Sequence, residues 1–141
     1  MNENHMLEEI HQNAEMALYS LDTLLPKVAD GEIHGELTQY KTTLEDIAGR
    51  AEQMLRKRGL EPEETGAVSK MGVWSGIQWN TMKDASPSHI AEMVIQGDTM
   101  GITSLTRELN NNPLASSEVT ALGQELIRSE QRNIESLKKH L

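Results

Sequence analysis

Residues 86–112 read SPSHIAEMVIQGDTMGITSLTRELNNN, and the spacing inside this stretch decides the fold. Ser86 followed by Pro87 opens a helix, because a hydroxyl caps the first free amides and proline's fixed φ suits the first turn. A run of Asn before Pro113 closes it. Between these signals Ile90, Met93, Val94, Ile102 and Leu105 recur at helical spacing. Ala91, Gly97, Gly101 and Ser104 lie among them, so neighbouring helices can approach closely. One carboxylate, Asp98, stands at the centre. The spacing predicts a single helix over residues 87–110 with an acid set among small and apolar residues.

Upstream, Leu7, Ile10, Ala14, Ala17, Leu21, Leu24 and Val28 follow alternating steps of three and four, the seam of a bundle helix over residues 5–25. Pro26 removes a backbone donor, so an end or a kink is expected just before it. Asp30 and Gly31 make the corner. Ile33, Leu37, Tyr40, Leu44, Ile47, Ala51 and Met54 then carry a second helix over residues 32–58, closed by Gly59. The short corner makes these two helices an antiparallel hairpin. Downstream, Ser116 or Ser117 caps a last helix over residues 117–140, with Val119, Leu122, Leu126, Ile127, Asn133, Ile134, Leu137 and Leu141 on its apolar face.

The connector differs in composition. After the acidic turn Glu61-Pro62-Glu63-Glu64, residues 66–83 show helical spacing at Val68, Met71, Trp74 and Ile77. Gly66, Gly72 and Gly76 weaken that helix by about 1 kcal/mol each relative to Ala. The expectation is a short extra helix held on the bundle by Trp74 and Trp79, which alternatively anchor a partner. A second helix of this length covers about 40 Å at 1.5 Å per residue, so the connector must carry the chain back to the starting end. The helices on either side of it then run parallel.

Composition narrows the function classes. The chain has 141 residues, enough for one domain with a single core. It has no Cys, which removes disulfides, thiolate metal sites and thiol nucleophiles. Phe is absent and Met occurs eight times, so an aliphatic, Met-filled core suits helices better than sheets. A formal net charge of -9 argues against nucleic acid and anionic membranes as partners. The opening MNENHMLEEI lacks the basic-then-apolar pattern of a secretory signal, and the expected location is cytoplasmic.

The fold class expected is all-α: an up-down four-helix bundle of the ferritin-like layout, with a long crossover containing a short extra helix. Specific residues carry a closer resemblance. Pro62, Glu63 and Glu64, then Gly66, Val68 and Trp79, then Gln96, Gly97 and Asp98 resemble an uncharacterised bacterial family of small ferritin-like domains. That family shows a Gly-x-Pro-Glu-Glu turn, a Gly-Ser/Thr-Val helix with a Trp, and a Glu-Arg-Gly-Glu core. The resemblance implies the fold and carries no established activity. This chain has Ile95 where relatives place an acid, and Glu130-Gln131 where a His is common.

A di-iron bundle needs a carboxylate from each of two helices and Glu-x-x-His from each of the other two. Glu8 to His11 is the single Glu-x-x-His, and Glu125 is followed at the third position by Arg128, which would repel a cation. Weaker sets remain: His11 with Glu15, and His89 with Glu92, each sharing a helix face. Their expected role is a solvated ion pair worth about 0.2–0.5 kcal/mol. With Glu8 and Asp98 they form the candidate ligand set for iron, manganese or zinc. Asp98 and Glu130 lie near apolar stripes, which leaves two readings: a polar pair inside the bundle, or flank positions whose charged tips reach solvent. Buried, either would need a partner or a raised pKa, with Asn133, Gln96 or Tyr40 available. Met71, Met82, Met93 and Met100 are expected to fill the core, or else to line a site for a soft metal or an apolar ligand. No phosphate loop or nucleophile elbow is present, and His34-Gly35 lacks the Lys of a phosphorelay helix. The leading expectation is a non-catalytic bundle acting through protein association, as a homodimer. The alternatives are a metal-binding bundle and a binder of a small apolar ligand.

Overall fold

The computed structural model describes residues 3–141, and among them every regular element is helical. Five α-helices follow one another: α1 (Glu3–Leu24), α2 (Gly31–Lys57), α3 (Ala67–Lys83), α4 (Pro87–Asn111) and α5 (Ser117–Leu137). A 3₁₀ turn at Leu25–Lys27 ends the first helix at Pro26, and another at Lys138–His140 finishes the last.

The ends follow from local chemistry. The Asp30 carboxylate accepts from the Glu32 and Ile33 amides and caps α2. Ser86 Oγ accepts from His89 N to cap α4, and Ser116 Oγ accepts from Val119 N to cap α5. At the far end of α2, Gly59 adopts φ +76°, and the Leu60 amide reaches back to the Leu55 carbonyl. Only glycine takes that left-handed turn without steric cost, which stops the helix and redirects the chain.

α1 packs against α2 and α4, α5 packs against the same two, and α3 lies on α1. Cross-helix contacts give the directions. Lys41 Nζ lies 2.6 Å from Asp22 Oδ1 near one end of α1 and α2, and Arg58 donates to Asn4 at the other. Asn13 donates to the Gly101 carbonyl while His5 lies 3.8 Å from Glu108, so α1 and α4 also run antiparallel. Arg50 bonds Glu125 at 2.6 Å and His140 pairs with Glu36, which sets α2 antiparallel to α5. Exposed pairs of this kind contribute at most about 1 kcal/mol each, so they report the register more than they enforce it. The enforcement comes from Leu7, Ile10, Ile33, Leu37, Leu44, Ile47, Leu55, Ile90, Leu105, Leu126 and Leu137, all fully enclosed. Truncating one of these to Ala costs about 2–5 kcal/mol.

α3 brings the chain back along α1. Thr65 donates to Gln12, and further along Lys70 Nζ sits 5.6 Å from the Tyr19 ring centroid. Its inward side is Val73, Ile77 and Thr81. Trp74 and Trp79 remain 50% and 57% exposed, so aliphatic residues, in place of the expected tryptophans, make the inward contact. Val68, Met71 and Met82 also face outward, and Met100 on α4 is exposed. Of the four Met expected to fill the core, only Met93 packs against it. Among the described residues no helix is long and apolar enough to cross a membrane.

Candidate functional site

The inward stripes of α2, α4 and α5 each carry a polar residue at one level of the bundle. On α2 the stripe Leu37–Tyr40–Leu44 places a phenol in the core, and on α4 Asp98 falls in step with Ala91 and Leu105. On α5 Glu130 and Asn133 lie between Leu126 and Leu137. Antiparallel register brings these positions together. The Tyr40 hydroxyl donates to Asp98 Oδ1 at 2.7 Å, and Asn133 Nδ2 donates to Asp98 Oδ2 at 2.8 Å.

Both acids are enclosed, Asp98 at 5% exposure and Glu130 at 2%. Of the two readings, the polar pair inside the bundle is the one found, and the solvent-reaching tips are not. Asp98's partners are Tyr40 and Asn133, two of the three candidates; Gln96 is exposed. Burial pushes the Asp98 carboxyl up to about 6, against the two hydrogen bonds that favour its charged form. Burial, reinforced by the Asp98 charge, pushes Glu130 up to about 9. Burial and then the neighbouring carboxylates raise the Tyr40 phenol well above its ordinary value, so it stays a donor. Of the two acids, Glu130 is the one that burial and its charged neighbour hold more strongly in the neutral form.

Glu130 differs from Asp98 in its satisfaction. Its Oε1 is buried with no hydrogen-bond partner. Its Oε2 lies where a Cβ on Gly101 would be, so a glycine at 101 is what admits the carboxyl against α4.

Beside this cluster a cavity of about 380 Å³ opens between α1, α3 and α4. α1 supplies Met16, Ala17, Ser20, Leu21 and Leu24, with Asn13 at the polar end. α3 supplies Val73 and Ile77, and α4 supplies Met93, Val94, Gly97, Met100 and Gly101. Tyr40, Asp98 and Glu130 form the wall at the bundle side. The volume lies at the small end of the ~300–1,000 Å³ range of ligand pockets, and an apolar wall with a few convergent polar groups is the usual make-up of such a site.

The residues singled out as metal ligands fall in separate places. His11 and Glu15 pair at 3.7 Å on α1, with His11 Nδ1 buried and unpartnered. His89 and Glu92 pair at 3.8 Å in the first turns of α4, with His89 Nε2 buried and unpartnered. Glu8 accepts from the Glu63 amide at the connector turn, and Asp98 belongs to the core cluster. Among the described residues, the one set of three ligand groups within 4.8 Å of one another is Glu32, Glu36 and His140. Lys139 Nζ already sits 3.0 Å from Glu32 and 2.7 Å from Glu36, so the chain's own ammonium fills the cation position. The core cluster fits a transition metal poorly. It has two carboxylates and no imidazole, and both Asp98 oxygens are taken by donors.

Sequence reasoning offered an apolar site lined by Met residues, of which Met93 and Met100 line this cavity, but it missed the cavity's place and Asn13, though the Glu130 signal was present. Residues 126, 130, 133 and 137 keep the alternating spacing of the buried stripe, and that spacing outweighs the charge of residue 130. No protein-family model, curated protein or solved structure matches the chain.

Proposed function

We propose that this chain is a ferritin-like four-helix bundle that binds a small, largely apolar ligand between α1, α3 and α4 and does not transform it. The fold assignment draws support from two antiparallel hairpins joined by a returning crossover, with the neighbouring long helices antiparallel. The observation that carries the binding assignment is the cavity itself, walled mostly by aliphatic and thioether side chains, with Glu130 among its lining residues and one Glu130 oxygen, Oε1, buried without a donor. A buried polar atom left unmade costs roughly 1–3 kcal/mol, and a ligand carrying a complementary group recovers it. The test is thermal unfolding in the presence of n-hexanol, a neutral apolar probe. The melting temperature should rise with probe concentration, as for any ligand that binds only the folded state. Ala17→Leu, which puts methyl groups into the cavity, should remove the effect. No rise in either protein would sink the assignment.

A second reading, association into a homodimer, is favoured by one observation. Val68, Met71, Trp74, Trp79 and Met82 on α3 are all exposed, five large apolar side chains on one helix. Light scattering across a concentration series tests it: Met71→Lys with Met82→Lys should shift a dimer to monomer and leave the helical content unchanged.

A further inference from the structure

We infer that the ligand is an amphiphilic amine bound as its ammonium ion, with the nitrogen on Glu130 and the hydrocarbon among Met16, Leu21, Val73 and Met93. This rests on the cavity being a ligand site, and deepens it by naming the chemistry.

The first observation is one of charge. Two acids reach the cavity wall and none of the residues lining it is Lys, Arg or His. The groups facing Glu130 are Asp98 from α4 and Tyr40 from α2, while α1 and α3 present Asn13, Val73 and Ile77. A carboxylate ligand would add a like charge to this enclosure, whereas a cation compensates it. The second observation is the free acceptor. Asp98 spends both oxygens on Tyr40 and Asn133, but Glu130 Oε1 is enclosed and unused. A turn of the Glu130 side chain that brings this oxygen to the cavity lets a single charge-assisted N–H···O contact satisfy it, and such contacts are about twice as strong as neutral ones.

A metal ion is the other cation, and the site argues against it. A metal needs several deprotonated oxygen or nitrogen ligands arranged around it. Here one unengaged carboxyl faces a wall of aliphatic and thioether groups. An ammonium on a hydrocarbon chain needs only that one carboxyl and uses the apolar wall. The bonding step also balances: Glu130, neutral beforehand, gives up its proton to solvent as the ammonium arrives, so the pair enters as two opposite charges.

Calorimetric titration of the intact chain with n-hexylamine, n-hexanol and sodium hexanoate at neutral pH tests this. Hexylamine should bind about tenfold tighter than hexanol, and hexanoate should not bind. Repeating the amine titration in buffers of different ionisation heat should show about one proton released per amine bound. Glu130→Gln, which keeps the shape of the neutral acid, should erase the preference for amine over hexanol. Equal binding of hexylamine and hexanol, or an amine preference that survives Glu130→Gln, overturns the ammonium assignment and leaves the cavity standing. Failure of all three probes overturns both. Tight binding of manganese chloride alone, lost in Glu130→Gln, would replace the amine with a metal.

Discussion

Replacing Glu130 with Gln exchanges one atom in the core and removes one titration. In the folded chain Glu130 keeps its proton up to about pH 9, held there by burial and by Asp98. In the unfolded chain it ionises near about 4.3. Between those values the folded state binds the extra proton, so the unfolding free energy falls as pH rises, by about 1.4 kcal/mol per pH unit. Asp98, raised to about 6, adds its own fall at the acid end of the same range. The other shifted groups act elsewhere. Glu36 and Glu125 are lowered, so their stabilisation is lost only as pH drops through the acid range. Lys41 and Lys139 are raised, so theirs is lost only above the ordinary lysine range. From about pH 6.5 to 8.5 the wild type should therefore lose roughly 3 kcal/mol through Glu130, which is on the order of 10 °C in melting temperature for a domain of this size. Glu130→Gln should lose little over that span and should be the more stable protein at the alkaline end. Urea unfolding followed by far-ultraviolet circular dichroism at both pH values measures this. A wild type whose stability is level or rises across the range refutes the burial argument, as does a variant with the wild-type slope.

Other substitutions probe neighbouring parts of the same account. Tyr40→Phe removes one of Asp98's two donors and should cost about 1–3 kcal/mol in denaturant unfolding, with the fall in stability extending to higher pH because Asp98 then holds its proton longer. Gly97→Ala and Gly101→Ala form a matched pair on α4. A Cβ at 97 meets nothing within 4 Å and should gain most of the ~1 kcal/mol helix-propensity difference, whereas a Cβ at 101 overlaps the Glu130 carboxyl and should lower the unfolding midpoint. Asp30→Ala removes the cap that serves two amides of α2 and should cost about 1 kcal/mol in the same assay, with no change in ligand-induced stabilisation.

The helices were legible because their signals are local. Steps of three and four, a Ser or Asp before each long helix after the first, and a glycine after residue 58 give α2, α4 and α5 within a residue or two at their starts. The polar cluster was half legible. Tyr40, Asp98, Glu130 and Asn133 each sit on or beside an apolar stripe, yet a carboxylate's default is solvent, and nothing in one helix says that three others bury it. That depends on register: Asp98 meets Asn133 because Gly101 meets Glu130 one turn away. The cavity was legible only as an alternative, a Met-lined site for an apolar ligand, and without its place in the fold; Met93 and Met100 do line it. It exists because α3 covers one side of α1 and because Gly97 and Gly101 leave α4 without side chains there. Of the two readings of Trp74 and Trp79, locking α3 onto the bundle fails for a related reason. Large aromatic residues usually mark the buried side of a helix, but on α3 that side belongs to Val73, Ile77 and Thr81.

α3 touches the rest of the molecule mainly through α1, and the four long helices bury one another without it. Its detachment would expose Val73 and Ile77 but leave intact the packing that dominates global stability. Such an element opens locally at a lower free energy than whole-chain unfolding. The outer wall of the cavity is thus its most loosely held one. Backbone amides along Ala67–Lys83 should exchange hydrogen by a separate, faster process than those of α2 and α5. An occupant bridging Val73 to Met93 should slow that exchange alone, so residence time in the site would be set by the breathing of one weakly held helix.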